Sequence, residues 1–177
     1  MFLIPFVAAF IGILLFFIYL NYSLSFKRAL LVRKMRDYRT EWDGVLLEKF
    51  NFYKELDNDL RSKLLNKISV FYNEKEWKVE DSEEQKLLAS ARACLPVVNR
   101  KSNYYPTVED NLVSMTQEDW FSLNQVQFEK EVGKMPLREF DGEFIKYSIE
   151  YFTNPKEIKS KNKRFFDLLN YYYKLSS

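Results

Sequence analysis

The sequence predicts a mainly α-helical protein, in which a single N-terminal transmembrane helix is followed by one helical globular domain. Three observations predict this class. An uncharged apolar stretch opens the chain, apolar residues recur every three or four positions through much of the remainder, and glycine and proline number only 4 and 5 of 177 residues. Residues 77–115 include the least regular part of the chain, and a small sheet there would give an α+β class.

The N-terminal segment, residues 1–26, is typical of a membrane anchor because it carries no charge. The nineteen residues 2–20 would rise about 28 Å as a helix, which is close to the hydrocarbon thickness of a bilayer. A secretory signal peptide would begin with positive side chains and end with small residues, and this segment has neither feature. Ala8, Ala9 and Gly12 would let a second helix approach, although an ordinary anchor facing lipid is the simpler interpretation.

A basic segment, residues 27–40, follows the anchor and is expected to continue its helix. By the positive-inside rule, its cations place the N-terminus outside and the domain in the cytoplasm. Six cations are expected at the membrane interface: Lys27, Arg28, Arg33, Lys34, Arg36 and Arg39. We therefore expect a single-pass protein of a bacterial inner membrane, whose partners are the lipid bilayer and other membrane-protein subunits.

The remaining residues, 41–177, are predicted to form one helical domain. Helices are expected over residues 42–56, 60–77, 82–95, 117–132, 140–153 and 163–175, with Asp59, Asp81 and Thr116 as N-caps. From residue 40 onward the chain holds 21 basic and 24 acidic side chains, which does not suggest a nucleic-acid-binding surface. Residues 154–164 hold five cations, which most simply form a solvated face but would also suit anionic headgroups or an acidic partner.

The inventory of reactive side chains excludes several kinds of site. The chain has no histidine, so Ser-His, Cys-His and histidine-metal chemistry are absent, and the single cysteine, Cys94, is interpreted as a small buried residue. No cofactor is expected. A hydrolase using carboxylates would have two candidate pairs, Glu118 with Asp119 and Asp141 with Glu143. Neighbours on a helix do not face each other, and the first pair is better explained as charge in the first turn.

Two blocks of sequence carry a resemblance to a known family. Residues 47–98 include SVFYNEKEW and DSEEQKLLASARACLPVV, and residues 143–175 include EFIKYSIEYFTNP and RFFDLLNYYYKL. Together the blocks cover about half of the chain. They resemble the MtfA-like zinc metallopeptidases, a family whose catalytic core is similar to that of anthrax lethal factor.

The resemblance implies a zinc site that this chain lacks the residues to build. Family members carry a His-Glu-x-x-His motif between the two blocks and a glutamate ligand in the second, whose position Glu150 matches here. With no histidine, and with residues 99–142 too short for the family's catalytic insert, we transfer no catalytic residue and no metal ligand.

The domain is therefore interpreted as a degenerate, shortened metallopeptidase. Its expected role is that of a membrane-anchored, non-catalytic accessory subunit or binding scaffold of a membrane protein complex. The alternatives are a residual hydrolase using carboxylates, and a regulatory adaptor that recruits a soluble cytoplasmic partner.

Overall fold

A computed structural model describes residues 3–100, 112–132 and 143–174 of the chain, without the side chains of residues 3–9, 20, 21, 126–132 and 174. The chain divides into two compact units, Met1–Asp37 and Tyr38–Ser177. The described residues are helical, with turns and loops between the helices and no strand among them. The mainly α class is confirmed, and the small sheet that would have made the class α+β is absent from residues 77–100 and 112–115; residues 101–111 lie outside the description.

The first unit consists mainly of one helix, α1 (Leu3–Lys34). The apolar stretch thus continues into the first part of the basic segment, residues 27–34. Arg36 lies in a short 3-10 helix (Met35–Tyr38) and Arg39 begins the next α-helix, so the basic segment does not form one continuous helix with the apolar stretch. The part from Phe10 to Lys34 is long and apolar enough to cross a membrane, and in that respect α1 stands alone among the described helices. Every side chain from Phe10 to Tyr19 is exposed, as is usual for a helix that faces lipid.

The second unit contains eight helices within the described ranges. They are α2 (Arg39–Lys49), α3 (Asn51–Lys54), α4 (Asn58–Glu74), α5 (Glu83–Cys94), α6 (Gln117–Val132), α7 (Phe144–Thr153), α8 (Pro155–Lys161) and α9 (Lys163–Lys174). The helix expected over residues 42–56 is divided in two because Phe50 takes an extended conformation between α2 and α3. A short 3-10 turn, Leu95–Val97, follows α5.

Two of the three predicted N-caps are displaced by one or two residues. Asp57, not Asp59, caps α4: its carboxylate accepts the Leu60 N–H at 2.8 Å. Ser82, not Asp81, caps α5, and Gln85 completes a capping box with it. In both cases the capping residue is the one whose backbone is extended immediately before the helix. The third prediction is confirmed, because Thr116 and Asp119 exchange hydrogen bonds at the start of α6.

The core of the second unit is rich in aromatic side chains. Small buried residues of α5 (Ala89, Ala91 and Ala93) allow α4 to pack closely against it. The largest fully buried side chains come from five helices: Trp120, Tyr53, Tyr172, Tyr173, Phe71, Phe121 and Phe144. Helices α6, α7 and α9 thus carry most of these rings, and α6 and α9 both pack against α7, the helix that carries Glu150.

Candidate functional site

The candidate site is the neighbourhood of Glu150, the residue that the family resemblance matches to a zinc ligand. Glu150 lies on α7 and is half-buried, and the two residues after it, Tyr151 and Phe152, point into the core. The Phe152 and Tyr173 rings are 4.9 Å apart, and the Phe121 ring stacks on Phe152 at 5.7 Å. The two residues after Glu150 therefore belong to a group of four packed rings. We call this group the aromatic cluster: Phe121, Tyr151, Phe152 and Tyr173.

Two hydroxyl hydrogen bonds belong to this cluster, one buried and one part-buried. The Tyr173 hydroxyl donates to Ser148 Oγ at 2.6 Å, and the Tyr151 hydroxyl donates to Asn170 Oδ1 at 3.1 Å. Burial raises the pKa of Tyr151 to about 12 and raises the pKa of Tyr173 well above its usual range. Both phenols are therefore neutral near pH 7, where they serve as hydrogen-bond donors and not as bases.

The residues present do not match the ligand set of a zinc peptidase. The chain has no histidine, and its one cysteine, Cys94, is fully buried on α5. Within residues 3–100, 112–132 and 143–174, no three cysteine or carboxylate side chains come together as a metal site would require. Glu150 matches only the glutamate ligand of the family, and a single carboxylate cannot hold zinc without the two imidazoles. The site therefore does not fit zinc.

Two of the candidate catalytic carboxylates, Asp119 and Glu143, interact with neighbouring residues at the starts of helices. Asp119 accepts hydrogen bonds of 2.7 Å from the backbone N–H and the hydroxyl of Thr116, and these bonds lower its pKa. A hydrogen bond from Tyr147, and then the charge of Lys146, lower the pKa of Glu143. A general acid needs the opposite shift, towards neutral pH. Glu118 is exposed beside Asp119 in the first turn of α6, and Asp141 lies outside the described residues.

The six predicted interface cations divide into two groups. Lys27, Arg33, Lys34 and Arg36 are exposed and Arg28 is half-buried, all in the first unit. Arg39 begins α2 in the second unit, is half-buried, and donates to the Asn66 side chain on α4. Arg39 therefore has a structural partner inside the domain. The interface role of these cations stays a prediction.

The predicted helix-packing residues lie on α1. At Gly12, apart from its chain neighbours and the backbone of its own helix, no described atom lies within 4 Å of where a Cβ would be. Ala8 and Ala9 belong to α1, but their side chains are not described. A role for these three residues in helix packing stays a prediction.

Two buried polar contacts escaped the sequence analysis. One is Tyr173 with Ser148; the other is Lys67, which is 7% exposed and donates to the Arg100 carbonyl at 2.7 Å. A signal for the first exists in the sequence, because Phe144, Ser148 and Phe152 follow one another at spacing four and share one face of α7. A serine on an otherwise apolar face indicates a buried hydroxyl with a partner.

A comparison with known protein families finds a match over most of the chain. A family model described as "Glucose-regulated metallo-peptidase M90" matches residues 24–146, which is more than two thirds of the chain. The match contains the whole of the first resemblance block and ends four residues into the second, so Glu150 lies beyond it. No curated protein and no solved structure matches the chain.

Proposed function

The chain belongs to the glucose-regulated metallopeptidase M90 family, and from that premise we propose that it is a membrane-anchored member without peptidase activity. In this proposal its function is binding: it acts as an accessory subunit or scaffold of a membrane protein complex. The domain holds a partner beside the bilayer in which α1 is anchored.

One observation carries the proposal, namely the absence of histidine from all 177 residues. A zinc peptidase of this kind needs two imidazoles one helical turn apart, with a glutamate between them to activate water. The family match covers residues 24–146, where that motif would be expected, and no histidine lies there. The family relationship is thus retained in a chain that lacks the means for the family's chemistry.

The anchor supports a role at the membrane. A helix of 32 residues carries exposed apolar side chains and then cations within its last two turns, which is the pattern of a single span with a cytoplasmic flank. The proposed orientation has the N-terminus outside and the domain in the cytoplasm. Thiol labelling of a cysteine introduced at exposed Ser122 tests it: a membrane-impermeant reagent should label this site only after the cells are opened. Labelling of intact cells would contradict the orientation.

The residual-hydrolase alternative has little support from the carboxylates. Asp119 and Glu143 both have lowered pKa values, and both interact with neighbouring residues at the starts of α6 and α7. No observation favours the adaptor alternative over the accessory subunit, since both need a membrane anchor and a binding domain.

Extraction of the native membrane with mild detergent tests the binding role. At native expression levels we expect the chain to co-purify with at least one other protein at constant stoichiometry. Recovery of a clean monomer would contradict the proposal.

A matched control separates the two units in this experiment. Replacing residues 1–26 with an unrelated single-span helix keeps the domain at the membrane but removes any contact made by the anchor itself. Retention of the partner would assign binding to the domain, whereas its loss would assign binding to α1.

A further inference from the structure

We propose that a basic face formed by α8 and the start of α9 binds anionic phospholipid headgroups. The name basic face denotes the exposed cations of this segment, whichever side of their helix they lie on: Lys156, Lys159, Lys161, Lys163 and Arg164. The inference rests on the membrane anchoring proposed above. It adds a second contact between the protein and the bilayer, made by the domain.

Charge is distributed unevenly over the second unit. Residues 154–167 hold five cations and two acids, Glu157 and Asp167, which gives a net charge of +3. Residues 40–177 as a whole hold 21 cations and 24 acids, so the remainder holds 16 and 22 and has a net charge of −6. A short basic segment within an otherwise acidic domain favours an anionic surface as its partner.

All five cations are exposed, on helices that the core holds in place. Ile158 anchors α8 to the domain with 2% exposure, and Asn154 caps that helix by accepting the Glu157 N–H. The start of α9 is held by the Phe165 ring, which stacks on Tyr147 of α7 at 4.5 Å. The cations are thus presented on fixed helices, which limits the conformational entropy lost on binding.

The two acids within this segment do not cancel its charge. Glu157 pairs with Lys161, and Asp167 pairs with Lys163 at 2.5 Å. Both ion pairs are well exposed to solvent, and such pairs contribute little because water screens them. The cations can therefore exchange these neighbours for lipid phosphates while the segment keeps its net positive charge.

An exposed tyrosine lies on the same side of α9 as Arg164. Tyr171 follows Arg164 by seven residues, two helical turns further on, and is 50% exposed. Tyrosine favours the headgroup region of a bilayer because its ring is apolar and its hydroxyl is polar. Cations and an exposed tyrosine together fit a lipid surface better than they fit a purely acidic protein surface.

The covalent link between the domain and α1 keeps the basic face close to the bilayer in which α1 is anchored. The domain is covalently joined to α1, so an anionic leaflet is available to the basic face without a separate encounter. Cytoplasmic leaflets carry anionic lipids, and juxtamembrane cations are attracted to them. These considerations select the bilayer, not an acidic protein, as the occupant.

A site-specific quenching experiment on the full chain in lipid nanodiscs tests the proposal. Because Cys94 is fully buried, a thiol fluorophore can be directed to a cysteine introduced at exposed Ser160 on α8, with exposed Ser122 on α6 as the matched control. The quencher is a lipid with a nitroxide headgroup. Discs of phosphatidylcholine alone are compared with discs that also contain phosphatidylglycerol.

We expect the Ser160→Cys probe to be quenched in the anionic discs and much less in the neutral discs. Raising NaCl from about 0.1 M to about 1 M should remove the difference, since the Debye length falls from about 10 Å to about 3 Å. The Ser122→Cys probe should stay near background in all conditions. Equal quenching of the Ser160→Cys probe in neutral and anionic discs, or equal quenching at both positions, would overturn the proposal.

A second version of the quenching experiment neutralises three cations of the basic face. In the Ser160→Cys chain, the triple change Lys156→Gln, Lys159→Gln and Lys161→Gln should lower the ratio of docked to undocked domain about five-fold per lysine. The control removes the same charge elsewhere, at exposed Lys54, Lys63 and Lys78. It should leave quenching unchanged, and an equal effect of both triple variants would contradict the proposal.

Alkaline carbonate extraction distinguishes the two proposals. If carbonate releases the chain from the membrane, the anchoring fails and the headgroup contact fails with it. If the chain is retained but the Ser160→Cys probe is not quenched, only the headgroup contact is wrong, and the basic face would then suit an acidic protein.

Discussion

At the scale of single residues, Phe121 has the contacts of a core-defining side chain. It is fully buried, and its ring lies within 6.4 Å of the Phe52, Phe152 and Tyr173 rings. Phe121→Ala should lower the free energy of unfolding by about 3–5 kcal/mol because it leaves a cavity among these rings. Tryptophan fluorescence in detergent follows unfolding, since Trp42, Trp77 and Trp120 all belong to the second unit. Phe121→Leu, which keeps most of the volume, is the control and should cost clearly less.

A second residue-scale prediction concerns pH. Because burial raises the pKa of Tyr151 from 10 to about 12, the folded state holds the phenol proton more tightly than the unfolded state does. The contribution of the Tyr151 phenol to the free energy of unfolding is fully present below about pH 10 and is lost as the pH rises towards about 12. Tyr151→Phe cannot ionise, so its unfolding free energy should fall less steeply across this window than that of the natural chain. Identical pH profiles for the two proteins would refute this account of Tyr151.

At the scale of elements, the assignment of Ser82 as the N-cap of α5 can be tested directly. Ser82 accepts the Gln85 N–H, and the Gln85 side chain accepts the Ser82 N–H at 2.8 Å. Ser82→Ala removes half of this capping box and should lower the free energy of unfolding by about 1 kcal/mol. Ser122→Ala, an exposed change within α6, is the control and should stay within about 0.5 kcal/mol of the natural chain. A larger effect at Ser122 than at Ser82 would contradict the assignment of the cap.

The helices themselves could be predicted well from sequence, because apolar spacing of three or four residues is a property of the whole segment. Their boundaries could be predicted less well. Asp57 and Asp59 are both good capping residues, and the choice between them depends on which backbone is extended, a property set by tertiary packing. Helix α8 was missed, although Asn154 followed by Pro155 at the first helical position is a recognisable helix start.

For the candidate site, the sequence shows which reactive side chains are present but not how they are arranged in space. The lack of histidine is visible at once, and it decides that the site does not fit zinc. The spacing of Phe144, Ser148 and Phe152 indicates a buried hydroxyl at Ser148, but its partner, Tyr173, lies 25 positions away and no local pattern identifies it. The resemblance of residues 147–175 to the family lies beyond the matched range 24–146 and stays a prediction.

At the scale of the whole molecule, two facts have to be explained together: the chain belongs to a metallopeptidase family, and it has no histidine to bind zinc. The family match extends from the C-terminal part of α1 into α7, so the end of α1 and helices of the second unit are matched together. The proposed binding role accounts for both facts, because a surface can be retained when the zinc ligands are lost. It also gives the anchor a function, namely to hold that surface at the bilayer.

Metal analysis of the full chain tests this account most directly. The chain is purified in detergent from cells grown with added zinc, and its zinc content is measured by mass spectrometry alongside peptidase activity. We expect far less than one zinc per chain and no activity above background, because no imidazole is present to hold the ion. One tightly bound zinc per chain, together with zinc-dependent cleavage of a peptide, would contradict the central claim.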